Sequence, residues 1–494
     1  MEKNYFLKKV LQACVLFFLI ITANVFSQVG IGTVAPETSS MLDVSSTTKG
    51  MLTPRMTTAQ RLAIVAPVDG LMVYDVDLKA FHYYNSSTLV WTVVNSASTG
   101  RLKFKRIRSG DALATVLASE LAAGGGNKYI LESTTHYEIN GIVTFDKSID
   151  LNNASLIGID TNEDKLFKTS GFLFEGATGG VVKNLTIAGG SSVFNLIGSD
   201  NTQGLIFRDC IVSGSANVGT ISSFALVFFS IVNYLGNTTG ITYTNCTRVL
   251  LSNTAWFGNN LGTFEKFIGT FSLIQKQGGF CEVNGAAIGV DVSASPVISG
   301  DAVMETVVFT GALSTGGKYV NGYTLGTYSG YNFNNKWNIR CAGIPTEGDS
   351  FAVGDVGFSL GIGSGITTSL TTGADVKILG TTTSNNFFRA STGSMDNRIV
   401  YVGTKRRFFT FSSTVSFVGT DGSNTTYILF FKKNGNTVIN SSKSYVFSTN
   451  TTDVRSNPIQ GIIEMIPGDY IEVFINRNSG TSNMSVISLN LFMR

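Results

Sequence analysis

The chain has 494 residues and a formal net charge of +3, and only 14% of its residues are charged, against roughly a quarter in ordinary globular proteins. The small net charge and the lack of a long basic stripe argue against a nucleic-acid partner. The 54 glycines and the abundance of β-branched and aromatic residues favour strands joined by tight turns over helices.

Residues 1–27 read as an export signal, with Lys3, Lys8 and Lys9 ahead of the apolar run Val10–Phe26 and small residues at Val25 and Ser27. The competing reading is a membrane anchor, but the run is at the lower limit for spanning and no basic stop-transfer follows. The expectation is a mature chain with no stable membrane span, secreted or held at the cell surface, with virion association as the alternative. Beyond Cys14, the cysteines are Cys210, Cys246, Cys281 and Cys341. None forms a CxxC pair and the only histidines are His82 and His136, so neither a metal nor a cofactor is expected. The first three lie 36 and 35 residues apart, which suggests buried thiols stacked on successive coils; a disulfide is the alternative that export would permit.

Residues 28–100 form an N-terminal module. It carries Pro54-Arg55-Met56-Thr57-Thr58, then Gly70-Leu71-Met72-Val73-Tyr74-Asp75, then Phe81-His82-Tyr83-Tyr84-Asn85, and closes near Trp91. This order resembles the module that opens exported and fibre-like proteins of Bacteroidetes bacteria and their phages, where a short helix precedes a small aromatic hairpin. Phe81, Tyr83, Tyr84 and Trp91 suit either a sugar-stacking platform or simple hairpin packing.

Residues 101–345 are expected to be a right-handed parallel β-helix with a helical lid. The lid is the stretch Asp111–Ala123, apolar at helical spacing, with Ser109 or Asp111 as cap and Gly124-Gly125-Gly126 as terminator. Short apolar strands follow between Gly, Asn and Ser turns, such as Ile142–Phe145, Ser148–Leu151, Leu156–Ile159 and Phe172–Phe174. Two segments look alike, Gly204–Val212 around Cys210 and Gly240–Val249 around Cys246. Irregular coils of this kind suggest stacked rungs; a series of β-sandwiches is the alternative. The rhythm also resembles the β-helix of phage tail spikes and pectate-lyase-like proteins.

Residues 346–395 read as last coils and a connector, and 396–494 as a separate antiparallel domain. There, Arg407–Val418 alternates its faces, Asn434-Gly435 marks a hairpin, and Pro467-Gly468-Asp469-Tyr470-Ile471-Glu472-Val473 forms a turn and strand. These residues resemble the C1q/TNF-like jelly roll, and the resemblance implies a homotrimer. The fold class is therefore all-β, a parallel β-helix shaft with a C-terminal jelly-roll head.

Candidate chemistry is sparse. Glycoside cleavage needs two carboxylates at a set separation. The densest acids are Asp160, Glu163 and Asp164, with Asp209 beside Arg208; further shaft acids are Glu265, Glu282, Asp291, Asp301 and Glu305. An acidic turn is equally a solvated corner. On the head, Lys405, Arg406, Arg407, Lys432 and Lys433 could meet an anionic surface polysaccharide or serve as solubilising edge charges. The favoured function is a surface fibre that binds cell-surface polysaccharide or a receptor. The alternatives are a polysaccharide-degrading spike and a purely structural surface protein.

Overall fold

The computed structural model describes residues 2–20, 28–94, 103–384 and 386–494. The chain divides into two units, Met1–Gly100 and Arg101–Arg494.

The first unit opens with the helix Glu2–Ile20. Among the described residues no helix is long and apolar enough to cross a membrane. The cleavage junction expected at Val25–Ser27 lies outside the described residues. Strands Val29–Ile31 and Leu42–Val44 pair in parallel. The expected short helix is Thr58–Leu62, closed by a capping box in which Thr57 and Gln60 each satisfy the other's backbone amide. It lies beside a meander of Met72–Asp75, Ala80–Asn85 and Val90–Val93. Arg61 ties helix to meander through the buried Asp75 carboxylate, 2.9 Å away. Tyr74 meets Phe81, and Tyr84 meets Trp91, edge to face, so these four rings pack in pairs within the meander.

The second unit begins as a parallel solenoid. One ladder of nine strands runs from Lys128–Ile130 to Lys318–Asn321, and a thirteen-stranded sheet from Phe104–Arg108 to Trp337–Ala342 forms the other faces. In the early coils that larger sheet is two separate ladders. At Gly204–Ser213 they fuse into one long bent strand, which pairs with both Gly180–Lys183 and Thr186–Ala188. Leu226 lies beside Gly204 and Arg248 beside Leu226, so these coils are 22 residues long. Later coils lengthen as loops grow; Ala302 pairs with Trp337.

The bend recurs at the same place in six successive coils. Asn184, Asp209, Ile231, Asn253 and Thr306 all have φ between 51° and 59°, and Gly278 joins them at 67°. The strand registers place these residues at successive rungs of one corner. A left-handed residue turns the strand through the corner without losing the ladder on either side. Asn, Asp and Gly adopt that conformation readily, while the β-branched Ile231 and Thr306 adopt it under strain. At Gly278 a Cβ would stand 2.2 Å from the Asn253 Oδ1.

Inside, Val, Leu, Ile and Phe from 107 to 339 make one continuous core, each fully buried large side chain worth about 1.5–3 kcal/mol. An aromatic file runs along it: Phe174 on Phe194, Phe194 on Phe229, Phe229 on Tyr243, Tyr243 on Phe267. At another corner buried asparagines stack. Asn237 Oδ1 accepts from the Ser215 amide, and Asn260 Oδ1 accepts from the Asn237 amide at 2.8 Å. Their side-chain amides donate to the Val212 and Tyr234 carbonyls. The core also encloses one ion pair: Lys276 Nζ lies 2.9 Å from Glu265 Oε1 and over the Phe264 ring. Burial pushes the Glu265 carboxyl up and Lys276 opposes it.

Three expectations need correcting. The lid is two short helices, Leu113–Val116 and Ala118–Ala123, broken at Leu117, because Leu113 and Leu117 both turn into the solenoid core. Neither Ser109 nor Asp111 caps it; the Asp111 carboxylate accepts from the Arg108 amide instead. The cysteines are free thiols and do not form one stack. Cys210 shares a column with Val232 and Thr254, Cys281 one with Trp256, and Cys246 sits after a strand of the other sheet. Their spacing of 36 and 35 is thus not the coil period. Burial pushes the Cys210 and Cys281 thiols up to about 12.

The third correction concerns 346–395, which supplies head strands in place of a last coil. Val353–Ser359 and Ile366–Thr368 pair antiparallel with Met484–Met493, and Asp375–Lys377 pairs with Tyr470–Ser479. The head is a sandwich of a six-stranded and a seven-stranded antiparallel sheet around its own core, the jelly-roll arrangement. Asn434 and Gly435 both have positive φ at the expected hairpin, and the loop also takes in Asn436. Asp469 closes the neighbouring turn by accepting from the Ile466 amide and the Asn434 side chain.

The corner column and the asparagine stack yield opposite expectations. Ile231, 48% exposed at φ 54°, sits where its neighbours are Asp209 and Asn253. Ile231→Asn should raise stability by about 1 kcal/mol by relieving backbone strain. Asn260→Ala should lower it by about 2 kcal/mol, because it orphans buried groups. Urea unfolding of both variants measures each effect.

Candidate functional site

Of the acids singled out in the shaft, Asp160, Asp164 and Asp209 make bonds within the fold. Asp164 is buried, and its carboxylate accepts from the amides of Gly141, Ile159 and Asp160. Burial raises its pKa, but those three amides outweigh burial and hold it below the usual carboxylate range. Asp160 caps its own turn at the Asn162 amide, and Glu163 is exposed beside it. Asp209 occupies the left-handed corner and pairs with Arg208 at 2.8 Å. The cluster is a turn staple, and Asp209 lies two coils away from it.

The basic residues of the head are mostly neutralised. Lys432 pairs with Asp375 and lies over Phe474; Lys433 pairs with Asp469. Arg406 pairs with Glu464 and Lys405 with Asp301 of the shaft. Arg407 alone among the five has no carboxylate partner among the described residues.

Lys405 and Arg407 nonetheless mark a place the sequence did not reveal, the junction where the last coil meets the head. Arg389 is its centre, 2% exposed and in the left-handed region at φ 54° between two short head strands. Its guanidinium donates to the Asp349 carboxylate and to the Trp337 carbonyl of the last shaft strand. The second Asp349 oxygen accepts from the Thr404 amide, the Thr404 hydroxyl and the Lys405 amide, at 2.7–3.0 Å. Burial raises the Asp349 pKa, but Arg389 and the backbone donors outweigh it and keep the group ionised. Asn335 donates to the Val402 carbonyl, adding a direct shaft-to-head bond. Trp337 is locked by its indole N–H on the Tyr323 hydroxyl, which donates to the Pro296 carbonyl.

These contacts surround a cavity of about 160 Å³, lined among others by Asp301, Lys336, Asp349, Arg389, Lys405 and Arg407. Its charges do not cancel. Asp301 answers Lys405 and Asp349 answers Arg389, while Lys336 and Arg407 have no carboxylate partner among the described residues. The Nε–H groups of Arg389 and Arg407 are buried and have no acceptor. The cavity is therefore an electropositive pocket. Among the described residues no group of three or more His, Cys, Asp or Glu side chains is placed to hold a metal ion.

Arg389 and Asp349 went unnoticed in the sequence because they lie in the stretch read as a connector. A lone Arg after Phe387-Phe388 in a charge-poor stretch was the available signal.

Comparison with known proteins adds one assignment. Residues 30–106 match the family described as the phage tail like trimerisation region. No curated protein matches. Among solved structures, murine APRIL at pH 5.0 is similar at 11% identity and a TM-score of 0.20, over 29% of this chain and 98% of that one. The enzymatically active domain of tailspike protein 4 of bacteriophage CBA120 is 12% identical at a TM-score of 0.21, over 89% of this chain and 77% of that one. A third is tailspike gp49 of the Acinetobacter baumannii bacteriophage Fri1, a capsular polysaccharide depolymerase. It is 10% identical at a TM-score of 0.21, over 89% of this chain and 98% of that one. Superpositions this loose transfer nothing to the present chain.

Asp349→Asn should destabilise the second unit by about 3 kcal/mol, because it leaves Arg389 buried without its counter-charge; chemical denaturation measures it. Nearby, burial pushes the Glu347 carboxyl up to about 7, against the Asn332 and Phe333 amides that favour its ionised form. Between pH about 4.5 and 7 the folded protein holds a proton there that the unfolded chain has lost, so stability falls as pH rises across that window. The stability advantage of wild type over Glu347→Gln should shrink from pH 5 to pH 8 in thermal unfolding.

Proposed function

We propose that this chain is a trimeric phage-tail-like fibre protein that recognises polysaccharide or another receptor on a cell surface. The observation that carries the reading is the match of residues 30–106 to a phage tail like trimerisation region. The matched stretch ends inside Phe104–Arg108, the first rung of the parallel solenoid. A solenoid whose rungs are linked by continuous ladders is stiff, which suits a spacer that holds a binding head away from its attachment point.

The head supports the same reading. The outer face of its six-stranded sheet carries Phe408 and Ile462, 67% and 73% exposed, along with Phe492. Rows of serine and threonine from Thr410 to Ser416 separate them from the far end of the sheet. An apolar and small-residue face of this kind is suited to burial against a second copy of the head, and the C1q/TNF-like resemblance of 396–494 implies the same threefold packing. Residues 1–27 are proposed as an export signal, which puts the working protein outside the cell, on a surface or a virion. The resemblance of residues 28–100 points to a Bacteroidetes bacterium or its phage as the source.

Light scattering on the full-length protein should return three times the 52.8 kDa chain mass. A monomeric mass at micromolar concentration would remove the trimer. On a glycan array the full-length protein should bind a restricted set of bacterial surface polysaccharides. Uniform background across the array and on intact cells would leave only the structural reading.

A further inference from the structure

We infer that the cavity between the last coil and the head binds the acidic group of a sugar, the carboxylate of a uronic-acid-type residue in a surface polysaccharide. The inference rests on the glycan-binding reading above and gives it a place and a ligand class.

Charge comes first. Four cations line the cavity, and only the two on Arg389 and Lys405 are matched, by Asp349 and Asp301. Lys336 and Arg407 remain, and their positive field is uncompensated in a recess with part of its wall buried. Rigidity comes second. Arg389 is buried and held by its two bonds to the Asp349 carboxylate and the Trp337 carbonyl, so the wall keeps its shape. The planar guanidinium of Arg407, without a carboxylate partner among the described residues, suits the in-plane lone pairs of a carboxylate.

Size is the third constraint. About 160 Å³ is on the order of ten times the space one water requires, enough for a single sugar-sized group and too little for an oligosaccharide. Thr404, Asn335 and Asn338 supply polar edges for ring hydroxyls, and Val303 an apolar edge for a ring face. The pocket therefore takes one acidic residue of a chain that continues into solvent. Because shaft and head both contribute to its wall, neither part holds the complete site.

Calorimetric titration of the full-length protein tests this with glucuronic acid, glucose and inorganic phosphate as probes. Wild type should bind glucuronic acid at least tenfold more tightly than glucose, and more weakly as salt rises. The double variant Lys336→Gln with Arg407→Gln should lose at least tenfold in glucuronic acid affinity, while Lys79→Gln, an exposed lysine of the other unit, should lose none. Lys336→Gln alone carries the same test if the double variant misfolds, since that side chain makes no bond in the fold. Unchanged glucuronic acid affinity in the variants overturns the site. Phosphate binding as tight as glucuronic acid overturns the sugar assignment. If the double variant still adsorbs to acidic polysaccharide as wild type does, the cavity is excluded and the fibre reading stands. If wild type binds glucuronic acid but adsorbs to no polysaccharide or cell, the fibre reading fails and the site stands.

Discussion

Rung-on-rung stacking of parallel strands is the interaction on which the rest of the second unit depends. Each coil alone buries almost nothing; stacked, its inward Val, Leu, Ile and Phe join a core that runs without interruption from 107 to 339. That stacking demands that every coil turn its corners at the same rung. The file of left-handed residues at Asn184, Asp209, Ile231, Asn253, Gly278 and Thr306 is how the chain meets the demand. The asparagine stack of Asn237 and Asn260 does the same at another corner by passing hydrogen bonds from coil to coil.

A solenoid has two open ends, and this chain closes each with different chemistry. At the first, two short helices push Leu113 and Leu117 into the core, and buried Glu120 binds Lys105 and the Tyr137 hydroxyl. At the other, the head itself is the cap. The contacts there are ionic and directional, with Arg389 reaching across to Trp337 and Asp349 gathering the loop at Thr404 and Lys405. In a chain so poor in charge, burying an Arg–Asp pair at this junction is a costly choice. It fixes the angle of head on shaft more firmly than apolar packing alone, because removing either partner strands a charge.

The same junction carries the cavity proposed above as the ligand site. On the head, Arg406 is answered by Glu464, Lys432 by Asp375 and Lys433 by Asp469. At the junction Lys336 and Arg407 line the cavity with no carboxylate partner among the described residues. A stiff shaft, a face of the head suited to self-association and the proposed recess for an acidic sugar are compatible with the fibre role proposed above.

Much of this was legible from the residues in order. Short β-branched runs between Gly and Asn corners carry the parallel solenoid, Asn434-Gly435 carries its hairpin, and Thr57 with Gln60 carries the capped helix, because each depends on local backbone preference. What only the tertiary structure decided depends on partners distant in sequence. The 346–395 segment has too little apolar pattern to declare its strands, and they exist because Met484–Met493 and Tyr470–Ser479 present open edges to them. The cysteine spacing suggested a period that the strand registers replace with coils of varying length, His136 pairing with Ser155 and Gly204 with Leu226. The acidic turn was open to chemistry or to a solvated corner, and only the fold shows three backbone amides on Asp164 and Asp301 of the shaft on Lys405. The junction site was hidden for the same reason: Asp301, Lys336, Asp349, Arg389 and Arg407 meet only when the last coil and the head dock, and no local pattern encodes that meeting.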